Sequence, residues 1–363
     1  MKVLFITNVP SPYRVEFFKE LGKHCDLTVL FEKSTSDERD ASWKNYSFAG
    51  FNGIILKSIN CSVDKAFCPS IIKFLNPNKY DRIIVADVAS LTGMLAIQYM
   101  KLFHIPYYIE GDGAFAKNGK GLKEKIKRYF IKGAKGYFST SIKHDEYYVT
   151  YGAENNRIFR YPFSSLKKED ILANVPTQEE KNLLREELGI SEKKVLLTVG
   201  QFIYRKGFDV LLNAAKCLSS DIGIYFVGGV PTEEYIDIVK QNDLKNVHFI
   251  GFKNKPELKR YYMASDVFVL PTREDIWGLV INEAMANGMP VVTTDRCIAG
   301  LELVRNDENG YIIPVNDSVV LAERLSGIFN NDELMNDMAC NSLEIIRKYT
   351  IEEMAKSQLE ILE

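Results

Sequence analysis

Short apolar runs separated by helical patterns recur along this chain, and that alternation restricts what it can fold into. Val3–Ile6, Leu27–Phe31, Arg82–Ala86, Pro106–Ile109 and Gly136–Ser139 read as strands, with helical patterns at Val15–Leu21, about Ser90–Phe103 and about Leu122–Lys132. Runs this uniformly apolar suit strands buried on both faces, and strands joined through helices pair in parallel. A second series follows: strands at Val195–Val199, Gly223–Val227, Val247–Gly251, Val267–Leu270, Pro290–Thr294 and Tyr311–Pro314. Its helices fall at about Phe208–Leu218, at Pro256–Ala264 (followed by Ser265-Asp266 as a cap), after Pro271, and from Ser318 onward. Between the series, Lys167–Lys181 is polar, contains Pro176 and reads as a linker, in part helical. The expectation is an α/β chain of two doubly wound domains, 1–165 and 166–340, with a helical segment 341–363 packing back on the first.

The bulk numbers agree with such a chain. Its 363 residues are 46% apolar and 26% charged, ample for two cores. A net charge of −2 supplies no pull toward nucleic acid. No run of 18 apolar residues marks a membrane span, and Val3–Ile6 is too short for the core of a signal peptide, so a cytoplasmic protein is expected. Cys25, Cys61, Cys68, Cys217, Cys297 and Cys340 are scattered without CxxC spacing and read as reduced thiols. His24, His104 and His248 lack partners at ligand spacing, so no metal site is expected.

Two stretches carry chemistry. Strand Val195–Val199 runs into Gly200-Gln201-Phe202-Ile203-Tyr204-Arg205-Lys206-Gly207, which places two cations just before a helix N-terminus. Free helix N–H groups beside cations suit a diphosphate. A solvated basic turn is the plainer reading of that loop alone. The second stretch is PTREDIWGLVINEAMANGMP, Pro271–Pro290, which leaves an apolar strand, turns, and enters a helix. Asp275 falls in the turn and Glu283 eight residues later on the helix. The intervening Gly278-Leu279-Val280 offers unpaired backbone N–H groups.

Pro271–Pro290 resembles the acidic-x7-acidic signature of retaining, GT-B-fold glycosyltransferases of family 4, which belong to the glycosyl transferases group 1. The resemblance implies two Rossmann-like domains facing across a cleft. It implies that Asp275 lies near donor-sugar hydroxyls and that Glu283 accepts from ribose hydroxyls, roles that suit acceptor-only carboxylates. Lys206, Arg205 and the N–H groups of Gly278, Leu279 and Val280 would face the diphosphate. Gly228 and Gly229 resemble the family's glycine turn near the nucleotide, and Gly251-Phe252 resembles the segment beside the base. Two positions depart from the family pattern: Gln201 stands where an Arg is usual, and Asp275 where a Glu is usual. Glu274, adjacent, reads as an exposed acid of the helix's first turn, although it could substitute for Asp275.

The first half yields less. Ser11, Tyr13 and Arg14 lie in Asn8-Val9-Pro10-Ser11-Pro12-Tyr13-Arg14, a stiff loop where many relatives have a Gly-Gly turn. Arg14 reads equally as a surface residue or as a contact to an anionic acceptor or donor phosphate. Glu110-Gly111-Asp112-Gly113 follows a strand, and it reads either as a plain type I′ or II turn or as a loop with one acid for acceptor binding or proton removal. The family loop often carries a His there and this one does not. His144 reads as a surface or capping residue. The segment 117–135 holds eight Lys or Arg and one acid, Glu124. It reads either as a peripheral contact with the anionic inner face of the cell membrane or as a solvated face over a buried stripe.

The resemblance implies a retaining transferase moving a sugar from a UDP- or GDP-linked donor to a saccharide or lipid-linked saccharide and, with the basic segment, a role in surface polysaccharide or glycoconjugate synthesis. Neither cofactor nor metal is expected, because cations and helix N–H groups would stabilise the leaving diphosphate. Two alternatives stand: a non-catalytic nucleotide-sugar-binding protein, and another GT-B enzyme such as a nucleotide-sugar epimerase. A two-Rossmann oxidoreductase is disfavoured, since no GxGxxG follows the first strand.

Overall fold

The structure is a computed structural model that describes residues 1–34, 47–62, 65–86, 88–117, 119 and 121–363. It divides into two units, Met1–Ser165 with Thr350–Glu363, and Leu166–Tyr349. The first contains strands β1 (Lys2–Thr7), β2 (Asp26–Phe31), β3 (Asn52–Ile55), β4 (Ile59–Ser62), β5 (Lys65–Phe67), β6 (Arg82–Val85), β7 (Tyr108–Glu110), β8 (Gly136–Ser139) and β9 (Ile158–Arg160). Seven of them form one sheet, in the order β3-β2-β1-β6-β7-β8-β9, with every neighbouring pair parallel. Strands β4 and β5 form a separate antiparallel pair. Its helices are α1 (Pro12–Gly22), α2 (Leu91–Leu102), α3 (Leu122–Ile131) and α4 (Ile142–Thr150).

The second unit has strands β10 (Lys194–Val199), β11 (Ile222–Val227), β12 (Val247–Ile250), β13 (Val267–Leu270), β14 (Val291–Thr294) and β15 (Gly310–Ile313). They form an all-parallel sheet, in the order β12-β11-β10-β13-β14-β15. Around it lie α5 (Gln178–Leu188), α6 (Phe208–Ala215), α7 (Glu233–Gln241), α8 (Lys255–Ala264), α9 (Leu279–Ala286), α10 (Ile298–Leu303), α11 (Ser318–Phe329) and α12 (Asp332–Ile346). The last helix, α13 (Ile351–Leu362), returns to the first unit and packs on α1. Its end is tied down where Arg82 Nε donates to Leu362 O at 2.6 Å.

Several expectations are corrected or completed. The polar stretch 167–181 is no free linker but lies along the second unit. Leu172 N donates to Ala286 O at 2.9 Å, Lys255 Nζ reaches Asp170 at 2.8 Å, and a Thr177–Glu180 capping box starts α5. The C-terminal segment divides at 349/350: the end of α12 stays with the second unit, and only α13 joins the first. Strands β3 and β9 escaped the pattern because each lies at an edge of its sheet, short and only partly buried.

Ser265 caps the end of α8 as expected, its Oγ donating to Tyr261 O at 2.7 Å, but Asp266 does not. Asp266 is the buried hub where α5 meets the start of β10 and β13: it receives Lys181 Nζ at 2.9 Å, Arg185 Nη2 at 2.8 Å and the Val195 N–H at 2.8 Å. Arg185 also donates to Ala264 O at 2.8 Å. Removing the carboxylate would strand two buried cations. Asp266→Ala is therefore expected to lower the stability of the second unit by about 3–5 kcal/mol, read by urea denaturation. A loss below about 1 kcal/mol would contradict this role for the hub.

Candidate functional site

Strand β10 lies between β11 and β13, so the chain leaves it to one side and returns on the other. Parallel α/β sheets bind ligands at such a switch point, beyond the carboxyl ends of the strands. The two loops concerned, 200–207 after β10 and 271–278 after β13, are laced together. Arg273 N and Thr272 Oγ1 both donate to Arg205 O at 2.8 Å, and Arg205 Nη1 donates to Glu274 O at 2.8 Å. The Arg273 guanidinium grips Asp209 through both Nη atoms (2.9 and 2.6 Å) and lies 4.0 Å over the Tyr204 ring. Gly207 permits this closure: its φ is +66°, and a Cβ there would sit 2.1 Å from Pro271 O.

The lacing brings together residues 69 positions apart. Lys206 Nζ donates to Asp275 Oδ2 at 2.7 Å, and Arg205 Nη1 lies 3.4 Å from Asp275 Oδ1. Asp275 is fixed through its backbone: its N–H donates to Arg296 O at 2.8 Å, and its carbonyl accepts from Ile298 N at 3.2 Å. Gly278 then turns the chain into α9 with φ +100°, its α-carbon packed so closely on Cys297 that a Cβ would fall 2.8 Å from Sγ. The N–H groups of Gly278, Leu279 and Val280 have no partner among the described residues. Trp277 is buried, with Nε1 donating to Asn282 Oδ1 at 2.8 Å. Glu274 is exposed and precedes α9, so it is not an acid of the first turn as expected.

The remaining predicted residues of this unit surround the same strand ends. Gly200 N closes on Val227 O at 2.9 Å and Gly228 N on Ile250 O at 3.2 Å, stacking the loops after β10, β11 and β12. Gln201 and Gly251 are exposed, Gly229 is half-buried, and Phe252 projects with 57% of its surface exposed. Glu283 lies one turn along α9, half-buried, and accepts from Tyr262 Oη at 2.9 Å. Burial raises its carboxyl above the usual range, and the Tyr262 hydrogen bond partly offsets this. Cations, free N–H groups and carboxylates arranged this way can hold a diphosphate beside hydroxyl-bearing groups. Sequence reasoning missed Arg273, Asp209, Tyr204 and Tyr262, because their partnerships span 21 to 69 residues.

In the first unit the structure changes three readings. Arg14 is neither a surface residue nor a free anion contact. It is buried, bidentate to Glu110 (2.6 and 2.9 Å), and paired also with Asp112. Glu110 accepts additionally from Tyr161 Oη at 2.8 Å and lies 3.5 Å from Gln358 Nε2 of α13. With its side chain fully buried and clamped, Glu110 is a structural carboxylate, unfit for proton removal. Asp112, with 28% of its side chain exposed, is the acid of the pair that reaches solvent, held by Tyr13 Oη at 2.9 Å. Ser11 is buried at the N-cap position of α1.

His144, expected as a surface or capping residue, is not at the surface but buried against Gly111, where a Cβ would meet its ring at 3.1 Å. Its Nδ1 accepts from Thr140 N at 3.3 Å, and its ring stacks on Tyr148 at 4.3 Å. Burial holds its pKa down at about 3, against 6.5 when exposed. Folded, it stays neutral while the unfolded chain takes up a proton below pH 6.5, so acid favours unfolding. Stability is expected to fall by up to about 1.4 kcal/mol per pH unit below 6.5. Urea midpoints between pH 7 and 5 check this, and the slope should flatten in His144→Leu.

The basic segment lies mainly on α3, and residues 118 and 120 are outside the described residues. Leu122, Ile126 and Tyr129, one stripe at i, i+4 and i+7, are 73%, 39% and 50% exposed. On another side of α3, Ile131 is buried and Phe130 half-buried against the core of the first unit, so the helix also keeps the apolar contact expected of a solvated face over a buried stripe. Among the described residues no helix is long and apolar enough to cross a membrane.

Residues 180–344 match the family model described as glycosyl transferases group 1. An uncharacterized glycosyltransferase of Haemophilus influenzae is 32% identical over 186 residues, 50% of this chain and 52% of that protein. The chain spans about half the length of the curated relatives it matches first. N,N'-diacetylbacillosaminyl-diphospho-undecaprenol alpha-1,3-N-acetylgalactosaminyltransferase of Campylobacter jejuni is 21% identical over 76% of this chain and 74% of its own. Among solved structures, Anabaena HepE in complex with UDP superposes with a TM-score of 0.80 at 16% identity, over 99% of each chain. The fold is therefore GT-B, two Rossmann-like parallel-sheet units, within which residues 180–344 match the glycosyl transferases group 1 model.

Proposed function

We propose that this chain is a retaining glycosyltransferase similar to family 4, transferring a sugar from a nucleoside-diphosphate donor to a hydroxyl of a saccharide or lipid-linked saccharide. One observation carries the reading: Lys206, paired with Asp275 at 2.7 Å, stands by the N-terminus of α9, whose first N–H groups lack partners. As the bond from the sugar C1 to the diphosphate breaks, charge grows on the diphosphate oxygen. Lys206, Arg205 and the N–H groups of Gly278, Leu279 and Val280 stabilise it. Asp275, released from Lys206, accepts from donor-sugar hydroxyls, and Glu283 from the ribose. The acceptor oxygen bonds to C1 on the face the diphosphate leaves, and its proton passes to the departing diphosphate. The UDP held by HepE and the diphospho-undecaprenol acceptor named for the Campylobacter relative support a UDP-linked donor and a lipid-linked acceptor. The exposed Leu122–Ile126–Tyr129 stripe, flanked by Lys123, Lys125 and Arg128, supports peripheral contact with an anionic membrane from the cytoplasmic side.

Thermal shift against nucleotides and nucleotide sugars tests the donor site, because a ligand of the native state raises the melting temperature. One nucleoside diphosphate is expected to stabilise the protein. Lys206→Ala should weaken its binding by about 10- to 150-fold, the worth of a charge-assisted hydrogen bond. Absence of stabilisation by every nucleotide would sink the catalytic reading in favour of a disabled site. Because cations of the chain neutralise the diphosphate here, turnover is expected to survive EDTA, and its loss would refute metal independence. Charge reversal at Lys123, Lys127 and Arg128 should weaken binding to anionic liposomes, and unchanged binding would remove the membrane contact.

A further inference from the structure

We infer that Tyr262 is a positioning residue for nucleotide recognition: it commits one oxygen of Glu283 and leaves the other aimed, unpartnered, at the hydroxyls of a ribose. The inference rests on the donor-site reading above and adds the group that makes Glu283 selective.

The Tyr262 side chain comes from α8 and is buried; its ring packs near Phe268 of β13, with centroids 5.9 Å apart. Its hydroxyl has one hydrogen bond among the described residues, to Glu283 Oε2 at 2.9 Å. A buried tyrosine hydroxyl requires such a partner, so the phenol and the carboxylate hold each other in one orientation. Glu283 is also fixed from its backbone, where its carbonyl accepts from Asn287 Nδ2 at 2.8 Å. The second carboxylate oxygen, Oε1, accepts nothing among the described residues, and it is absent from the fully enclosed unpaired atoms. It therefore reaches solvent from a half-buried side chain.

Position along α9 matches a nucleotide. Glu283 follows Leu279 by four residues, which places it about 6 Å along the axis from the free N–H groups at the helix start. A diphosphate held there puts its ribose at about this distance, and a vicinal diol supplies two donors to an acceptor-only group. A carboxylate free to rotate would lose part of that recognition to side-chain entropy. Tyr262 removes this freedom in advance.

The test compares UDP and GDP, each beside its 2′,3′-dideoxy form, by calorimetry on the full chain. The wild type is expected to prefer the ribose form of its nucleotide by about tenfold or more, as for hydrogen bonds to a charged group. In Tyr262→Phe that preference should shrink below about threefold while affinity for the dideoxy form and the unliganded melting temperature stay unchanged. Glu283→Gln should abolish the preference, and the double variant should lose no more than Glu283→Gln alone. A full ribose preference in Tyr262→Phe, or equal weakening of both forms, would overturn the assignment. A wild type that binds a nucleotide without ribose preference overturns it too while leaving the donor site standing. A wild type that binds none removes the donor site and this inference with it.

Discussion

Parallel pairing of β10 with β13 is the constraint on which the second unit depends. It sets side by side two strand ends whose loops are far apart in the chain, and everything chemical follows from their union. The closure at Gly207, the double donation to Arg205 O and the Arg273 clamp all lock these loops. The result is an ion pair between Lys206 and Asp275 at the mouth of a helix with free N–H groups. Much of the lock is backbone and the half-buried Arg273 guanidinium, so the site is organised before any ligand arrives.

That ion pair has a consequence for binding. On the proposed donor reading, a diphosphate would compete with Asp275 for Lys206, and Asp275 would then turn toward hydroxyls. One carboxylate would thereby serve two states, resting partner of a cation and acceptor for a polyol. The shorter Asp at this position suits the pair, because both cations approach it, Lys206 closely and Arg205 at 3.4 Å.

The first unit uses its charges differently. Arg14 gathers Glu110 and Asp112, and Tyr161, Tyr13 and the returning helix α13 complete the cluster. Burial converts Glu110 from candidate base to anchor, since a fully clamped carboxylate cannot meet a substrate. Asp112, two residues on, keeps partial exposure. The hydrogen bond from Tyr262 to Glu283 in the second unit follows a similar logic, with a buried partner spending one oxygen so that the other is presented.

Read alone, the sequence determined the parallel architecture, because strands covered on both faces leave uninterrupted apolar runs such as Val267–Leu270 and Leu27–Phe31. It also determined the site's local grammar, the strand–turn–helix of Pro271–Pro290 and the cations before Gly207, because turn and helix-start chemistry act between near neighbours. It could not reveal that Arg14 is consumed by Glu110, that His144 lies beneath Gly111, that 167–181 hugs the second unit, or that Tyr262 holds Glu283. Each of those depends on which distant elements the sheets bring together, and whether a polar side chain is presented or buried is decided by packing. Only the tertiary structure sets that, since a charge's role depends on its partner and its access to water rather than on its place in the chain.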